Sequence, residues 1–288
     1  MLRLQCGLRW RDPEGRAVDQ SDFTIEELLA LTAGLGLPLP AFLAGSPVSS
    51  WLPEVRSEVE AIGRRSLAAR GVTQRTNAGE DVIPESLATL CRVIARPEVF
   101  MRISSVSAEA IRSVSFLSAG EWCSGVRLTP HGNLRLSIFD STRMRDAADE
   151  VLALSGSESV DTDEFELSAD DIQRVIQQQV SSSSSDADSV MRDSGLSDDA
   201  VRRLTPLMSD RSVAWSVEVF VPGADGRTLD GLLTAWADTP AGLWIAEAKP
   251  RPEGTTVVYR RCSPAMIRDQ IYEGWPDGRL EASADAGK

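Results

Sequence analysis

The chain has 288 residues, 42% hydrophobic and 25% charged, proportions ordinary for a soluble globular protein. Its net charge of −13, from 30 basic and 43 acidic side chains, argues against a phosphate backbone as partner, so nucleic acid is not expected. No apolar run approaches the roughly 18 residues needed to cross a bilayer, and Met1 to Arg11 lacks the features of a signal peptide, so a cytoplasmic protein without membrane insertion is expected.

Met1 to Val18 alternates weakly through Leu2, Leu4, Cys6, Leu8 and Trp10 and reads as an edge strand. Phe23 to Leu35 reads as a helix: Thr24 and Glu27 form a capping box, and Phe23 staples onto Leu28. An apolar loop, Leu37 to Leu43, leads to a second helix at Pro53 to Arg70, with Val55, Val59 and Ile62 expected inward. Thr73 to Asp81 is polar and loop-like. Pro84 to Ala95 is the third helix, stopped by Arg96-Pro97, because the residue before proline avoids the helical region.

Four strands follow at Val99 to Val106, Ala110 to Ser118, Trp122 to Leu128 and Leu134 to Phe139, then a helix at Thr142 to Leu154. Ser155 to Glu164 is an acidic linker. Ser168 caps a helix carrying Ile172, Val175, Ile176 and Val180, which the five serines Ser181 to Ser185 interrupt. Another helix is expected at Leu196 to Met208, followed by strands at Val213 to Val221, Leu229 to Asp238 and Leu243 to Ala248. Ser263-Pro264 opens a last helix, and the Gly, Ala, Ser and Asp-rich tail is expected to be disordered.

The second half repeats the first. Shifted back by 114 positions, Val213, Trp215 and Val217 fall on Val99, Met101 and Ile103, Leu204 falls on Leu90, and Trp236 falls on Trp122. The expected fold is therefore α+β with a pseudo-twofold internal duplication: a central, mostly antiparallel sheet, flanking helices and a helical bundle. Residues 1–155 form one half, 156–276 the other, and 277–288 a tail.

Motifs for catalysis are absent. There is one histidine, His131, in a turn, and no nucleophile elbow, phosphate loop or zinc signature. Cys6, Cys91, Cys123 and Cys262 are too widely spaced for a zinc site and read as buried, reduced thiols. Neither a metal nor a cofactor is expected. One pattern, Asp238 with Glu247-Ala248-Lys249, is the D…E-x-K arrangement of metal-dependent nucleases, where two acids hold a cation and a lysine assists water. The same tripeptide is what alternation on a strand edge produces, and an acidic protein repels DNA. This nuclease is the alternative reading.

The segment Phe23 to Leu31 with Leu35-Gly36-Leu37-Pro38-Leu39-Pro40 resembles the opening of EspG proteins, chaperones associated with ESX, or type VII, secretion. Leu90 to Val99 and Trp236-Ala237-Asp238-Thr239-Pro240-Ala241-Gly242-Leu243-Trp244 are similar to the same family, and together the resemblance spans most of Phe23 to Ile271. The longer N-terminus and the five-serine run depart from the family pattern. The resemblance implies a cytosolic, non-enzymatic chaperone that binds the apolar tip of a PE–PPE heterodimer or similar helical substrate. It leaves open a client unrelated to those proteins, and a homodimer.

Strands apolar on both faces are either covered twice or keep one face for a partner. Phe220, Leu232 and Trp236 oppose the strongest alternating stripes of their strands. With Val175, Ile176 and Val180 on the neighbouring helix they are the expected partner-binding residues, and alanine at Trp236 or Phe220 is expected to spare the fold.

Overall fold

Each half of the chain lays down a meander of four antiparallel strands, and the leading strands of the two meanders pair with each other. The computed structural model describes residues 21–43, 46–75, 81–107, 109–129, 131–154, 164–174, 187–193, 195–205, 207, 213–222, 229–239, 242–252 and 254–273. In the first half, β1 (Ser21–Phe23) precedes α1 (Ile25–Gly34), α2 (Pro53–Ala69), the small hairpin β2 (Gln74–Arg75) and β3 (Asp81–Val82), and α3 (Glu85–Ala95). The meander is β4 (Val99–Val106), β5 (Ile111–Ala119), β6 (Trp122–Leu128) and β7 (Leu134–Asp140), closed by α4 (Met144–Leu152). In the second half, β8 (Glu164–Ser168) is followed by a helical stretch at 169–174, α5 (Ala187–Asp193) and α6 (Asp198–Leu204). Its meander is β9 (Val213–Pro222), β10 (Leu229–Thr239), β11 (Gly242–Arg251) and β12 (Gly254–Cys262), closed by α7 (Pro264–Glu273).

The ten-stranded sheet runs β1-β7-β6-β5-β4-β9-β10-β11-β12-β8, which reads the same from either end once the halves are exchanged. Its register fixes a local dyad. In the central pair Ile103 lies opposite Val217, 114 positions away, while Met101 lies opposite Val219 and Ser105 opposite Trp215. A shift of 114 exchanges the Met101–Val219 and Ser105–Trp215 pairs and returns Ile103–Val217 to itself, so the dyad passes between Ile103 and Val217, and Met101 is the counterpart of Trp215.

Beyond the central strands the offset changes. Trp236 pairs with Trp215 as Phe116 pairs with Met101, so the counterpart of Trp236 is Phe116 and not Trp122. The spacing between these paired residues is six longer in the β9–β10 hairpin than in the β4–β5 hairpin (236 − 215 = 21 against 116 − 101 = 15), and a constant shift misses such an insertion. Two further strands correct the sequence reading: Glu164–Ser168 occupies the sheet edge where a linker and helix cap were expected, and Gly254–Cys262 forms a separate fourth strand. The Met1–Val18 segment, the serine run and the tail lie outside the described residues.

One face of the sheet, the core face, is closed by the dyad-related helices α4 and α7. Met101, Ile103, Phe116, Phe139, Val217, Val219 and Trp236 pack there against Met144, Leu152, Ile267 and Ile271. Tyr272 on α7 donates a hydrogen bond to Asp149 on α4 at 2.9 Å, tying the two helices together. On the outer face, α1 and α3 cover the first meander through Leu28, Leu31, Leu90 and Ile94 against Phe100, Leu117 and Val126. The second-half helices cover the far strands through Met191 and Val201 against Phe165 and Trp244. Cys91, Cys123 and Cys262 are free and buried, and burial pushes the Cys91 thiol up to about 12 and that of Cys262 to about 11. Such thiols stay protonated and unreactive.

The α1–α2 joint depends on Glu27. Its carboxylate caps Thr24 N–H at 3.1 Å, accepts from Ser66 Oγ at 2.6 Å and pairs with Arg70 Nη1 at 2.6 Å, while its side chain is only 1% exposed. Gly63 permits the close crossing, since a Cβ there would stand 2.0 Å from the Glu26 carbonyl oxygen. Burial raises the Glu27 carboxyl pKa, but the bonds from Ser66, Arg70 and Thr24 outweigh it, and the net shift is downward. A carboxyl held below its unfolded value stabilises the fold above that value, and loses the contribution as pH falls through the lowered one. Glu27→Gln is therefore expected to cost about 1–3 kcal/mol at neutral pH. Thermal melts of the two proteins should converge as the pH falls below the ordinary glutamate range.

Candidate partner-binding surface

Between the two groups of outer-face helices, four strands carry small side chains. Three cross-strand rows lie side by side on β5, β4, β9 and β10: Ile111–Val106–Ala214–Ala237, Ser113–Ser104–Ser216–Ala235 and Ser115–Arg102–Glu218–Leu233. Opposed residues share a face of the sheet, so these twelve form one surface, roughly 15 Å across at the strand spacing. No described helix covers its middle. Ile111 is 78% exposed and Leu233 62%, and Val106 and Leu128 are exposed as well. Alanine and serine leave the surface flat enough for a helix, about 10–12 Å wide, to approach the strands closely.

The boundaries of this surface follow from the dyad. A shift of 114 carries Phe100 onto Ala214 and Val106 onto Phe220, so the pair Phe100–Phe220 and the pair Val106–Ala214 are counterparts. At the first end the two phenylalanine rings stack at 5.6 Å beneath α3. At the other end the counterpart pair is small and uncovered. Trp244, beside Ala237 and packed on Phe165, forms the wall on the second-half side. Arg102 reaches Glu218 at 3.3 Å in the third row and lies over the Phe100 ring, leaving little net charge at this border.

The structure redistributes the expected site residues. Phe220 is on the outer face, half-buried against Phe100 at the covered end. Register pairs Leu232 with Val219 along the backbone, and it places Trp236 opposite Trp215, on the core face with the alternating stripe instead of against it. Trp236 is 2% exposed and stacks on Trp215 with ring centroids 5.9 Å apart and planes 2° from parallel. It is a packing residue, and the expectation that it faces a partner is corrected: face assignment on β10 depends on the length of the preceding hairpin, which alternation alone does not reveal. Val175, Ile176 and Val180 lie outside the described residues. Leu233, Ile111 and Val106, which the structure leaves exposed, were not singled out from the sequence because an exposed and a buried apolar residue have the same signature there.

The nuclease pattern does not converge. Asp238 lies opposite Leu243, four positions along β11 from Glu247, which separates them by roughly 13 Å. Glu247 instead accepts from Arg260 Nη2 at 2.8 Å, with Lys249 Nζ 4.0 Å away, as part of a charged ladder. His131 sits exposed in the β6–β7 turn. No helix among the described residues is long and apolar enough to cross a membrane.

The family model of EspG proteins matches residues 24–273. The chain belongs to the EspG family. Among solved structures, this EspG chain is similar to the Mycobacterium tuberculosis type VII secretion system chaperone EspG5, solved in complex with the PE25–PPE41 dimer. The TM-score is 0.55 at 12% identity, over 88% of this chain and 94% of that one. No curated protein sequence matches. The matched family span begins one residue after β1, so the EspG fold here takes in both meanders and all the helices described above.

Placing Trp236 in the core gives an expectation opposite to the one drawn from the sequence. Trp236→Ala should lower folding stability by about 3–5 kcal/mol. Leu233→Ala, on the open face, should leave the melting temperature within a degree or two of the parent, since exposed sites away from special features change stability by about 0.5 kcal/mol or less.

Proposed function

We propose that this chain is a cytoplasmic secretion chaperone that binds the apolar helical tip of a PE–PPE-type pair on its open outer face. Binding keeps the client soluble until delivery to a type VII system. The observation that carries this reading is the uncovered twelve-residue surface, small in the middle and rimmed by exposed Ile111, Val106, Leu128 and Leu233. A flat area of small side chains edged by exposed aliphatic ones, uncovered among the described residues, is the kind of surface that interaction sites use. A helical tip fits it because helices place apolar side chains along one stripe and bury them against a complementary face.

The relative EspG5 is described in complex with a PE25–PPE41 dimer, which supports the same client class for this chain. The role requires no catalysis. Its residues hold and shield, and nothing at the surface supplies a nucleophile or converging acids. The apolar positions Val175, Ile176 and Val180 stay in the proposal on their helical spacing, as does Phe220 at the border of the surface. The exposed aliphatic side chains, in place of Trp236, are now the proposed anchors.

Co-expression with a PE–PPE pair from the same host, followed by affinity capture, tests the reading. Ile111→Glu and Leu233→Glu should each weaken capture by roughly thirtyfold or more, a loss of about 2 kcal/mol, because each replaces a proposed apolar anchor with a charge that the client would bury. Their melting temperatures should be unchanged. Capture unaffected by both substitutions would move the client elsewhere. Magnesium- or manganese-dependent DNA cleavage abolished by Glu247→Ala would replace the chaperone reading altogether.

A further inference from the structure

The middle row of the open face carries hydroxyl groups that the chain leaves without full partners. On the outer side of the central strands the opposed residues are Phe100 and Phe220, Arg102 and Glu218, Ser104 and Ser216, then Val106 and Ala214. A shift of 114 carries Arg102 onto Ser216 and Ser104 onto Glu218, so the dyad relates an ion pair to a pair of serines. The ion pair is closed within the chain, with Arg102 Nη1 3.3 Å from Glu218. The serine pair stays open. Ser104 Oγ donates to Ser113 Oγ at 3.3 Å, and Ser216 Oγ makes no hydrogen bond among the described residues.

A serine hydroxyl offers one donor and can accept twice. In the free chain water fills the remaining capacity, because Ser104 and Ser216 are half-buried and Ser113 is exposed. A client lying across the row expels that water, and each hydroxyl it buries without a partner weakens the contact by roughly tenfold. An unbroken apolar stripe on the client incurs this loss at the centre of the surface. A charged client side chain loses its hydration there and finds no free opposite charge in the next row, since Arg102 and Glu218 hold each other. A side-chain carboxamide, with two N–H donors and a carbonyl acceptor, matches a row that both donates and accepts.

Resting on the client reading above, we propose that Ser104 and Ser216 make this chain selective for a client whose apolar tip carries one Asn or Gln, seated over the two hydroxyls. Four residues of helix cover about 6 Å, and neighbouring rows of the sheet are roughly 6.6 Å apart. A client helix lying along the strands therefore sets the residue one turn beyond the amide against Val106 and Ala214, so that position is apolar. The serines act as specificity determinants, and the exposed aliphatic side chains supply the bulk of the contact.

Titration calorimetry of the full chain with a PE–PPE pair from the same host tests the proposal. Ser104→Ala combined with Ser216→Ala should weaken binding about tenfold at an unchanged melting temperature. Replacing each Asn and Gln of the client tip by Leu should find one change that weakens binding to the parent chain and costs nothing further against the double alanine variant. That non-additivity assigns the amide to the serine pair. Full affinity of the double alanine variant, while Ile111→Glu still loses the client, would overturn the proposal and leave the client site standing. A client tip without Asn or Gln that binds the parent tightly, or a loss on the alanine variant coupled to no client amide, would overturn it as well. Indifference to Ile111→Glu and Leu233→Glu as well as to the alanines would remove the client site itself, and this inference with it.

Discussion

The antiparallel pairing of β4 with β9 is the constraint on which the rest of the structure depends. It joins two meanders whose core faces lie under one shared layer, α4 and α7, and it does so at a register where Ile103 and Val217 occupy counterpart positions. On that face the pair buries Met101, Ile103, Val217 and Val219 at the centre of a cluster drawn from both halves. Burying a side chain of this size contributes about 1.5–3 kcal/mol, so the seam carries a large part of the folding free energy. Both repeats of the chain contribute to this one core.

Given that seam, an exact twofold would cover both ends of the outer face equally. The chain departs from symmetry at one pair of counterparts. Phe100 and Phe220 fill one end beneath α3, whereas Val106 and Ala214 leave the other end shallow. The second-half helices sit farther out, over Phe165 and Trp244. Among the described residues, no aromatic pair or helix fills at the second end the volume filled at the first, which is where the proposed client helix would sit. Duplication thus accounts for the scaffold, and local loss of bulk accounts for the exposed surface proposed to bind the client.

Much of this scaffold was legible from residues alone. Period-two alternation located seven of the eight meander strands, and the Thr24–Glu27 capping box is present with both of its hydrogen bonds. The 114-residue offset was recovered because α3 with β4 and α6 with β9 are spaced alike, and it failed at β10 because hairpin length is set by a turn and leaves no mark on strand patterning. Trp236 was placed opposite a Leu229/Leu233 stripe within β10, whereas the register puts Trp236 on the core face and Leu233 stays exposed, because both faces of that strand carry large apolar residues. β8 went unread because Phe165 and Leu167 give only two apolar positions inside an acidic stretch. Val55 and Ile62 were expected inward on α2, yet they lie on its exposed flank, because α1 takes only the side around Gly63 and Leu67. Which apolar residues remain uncovered depends on the placement of helices, and no single strand or helix encodes that.

The central claim is that the client occupies the open outer face between α3 and the second-half helices. Carbene footprinting of the chain, alone and bound to a PE–PPE pair, reads side-chain exposure at each of these positions. The account requires labelling of Val106, Ile111, Leu128 and Leu233 to fall sharply in the complex, with Met266 on α7, exposed on the opposite side of the sheet, unchanged. Protection at Met266 with the four outer-face residues still labelled would place the client on the other side of the molecule and contradict it.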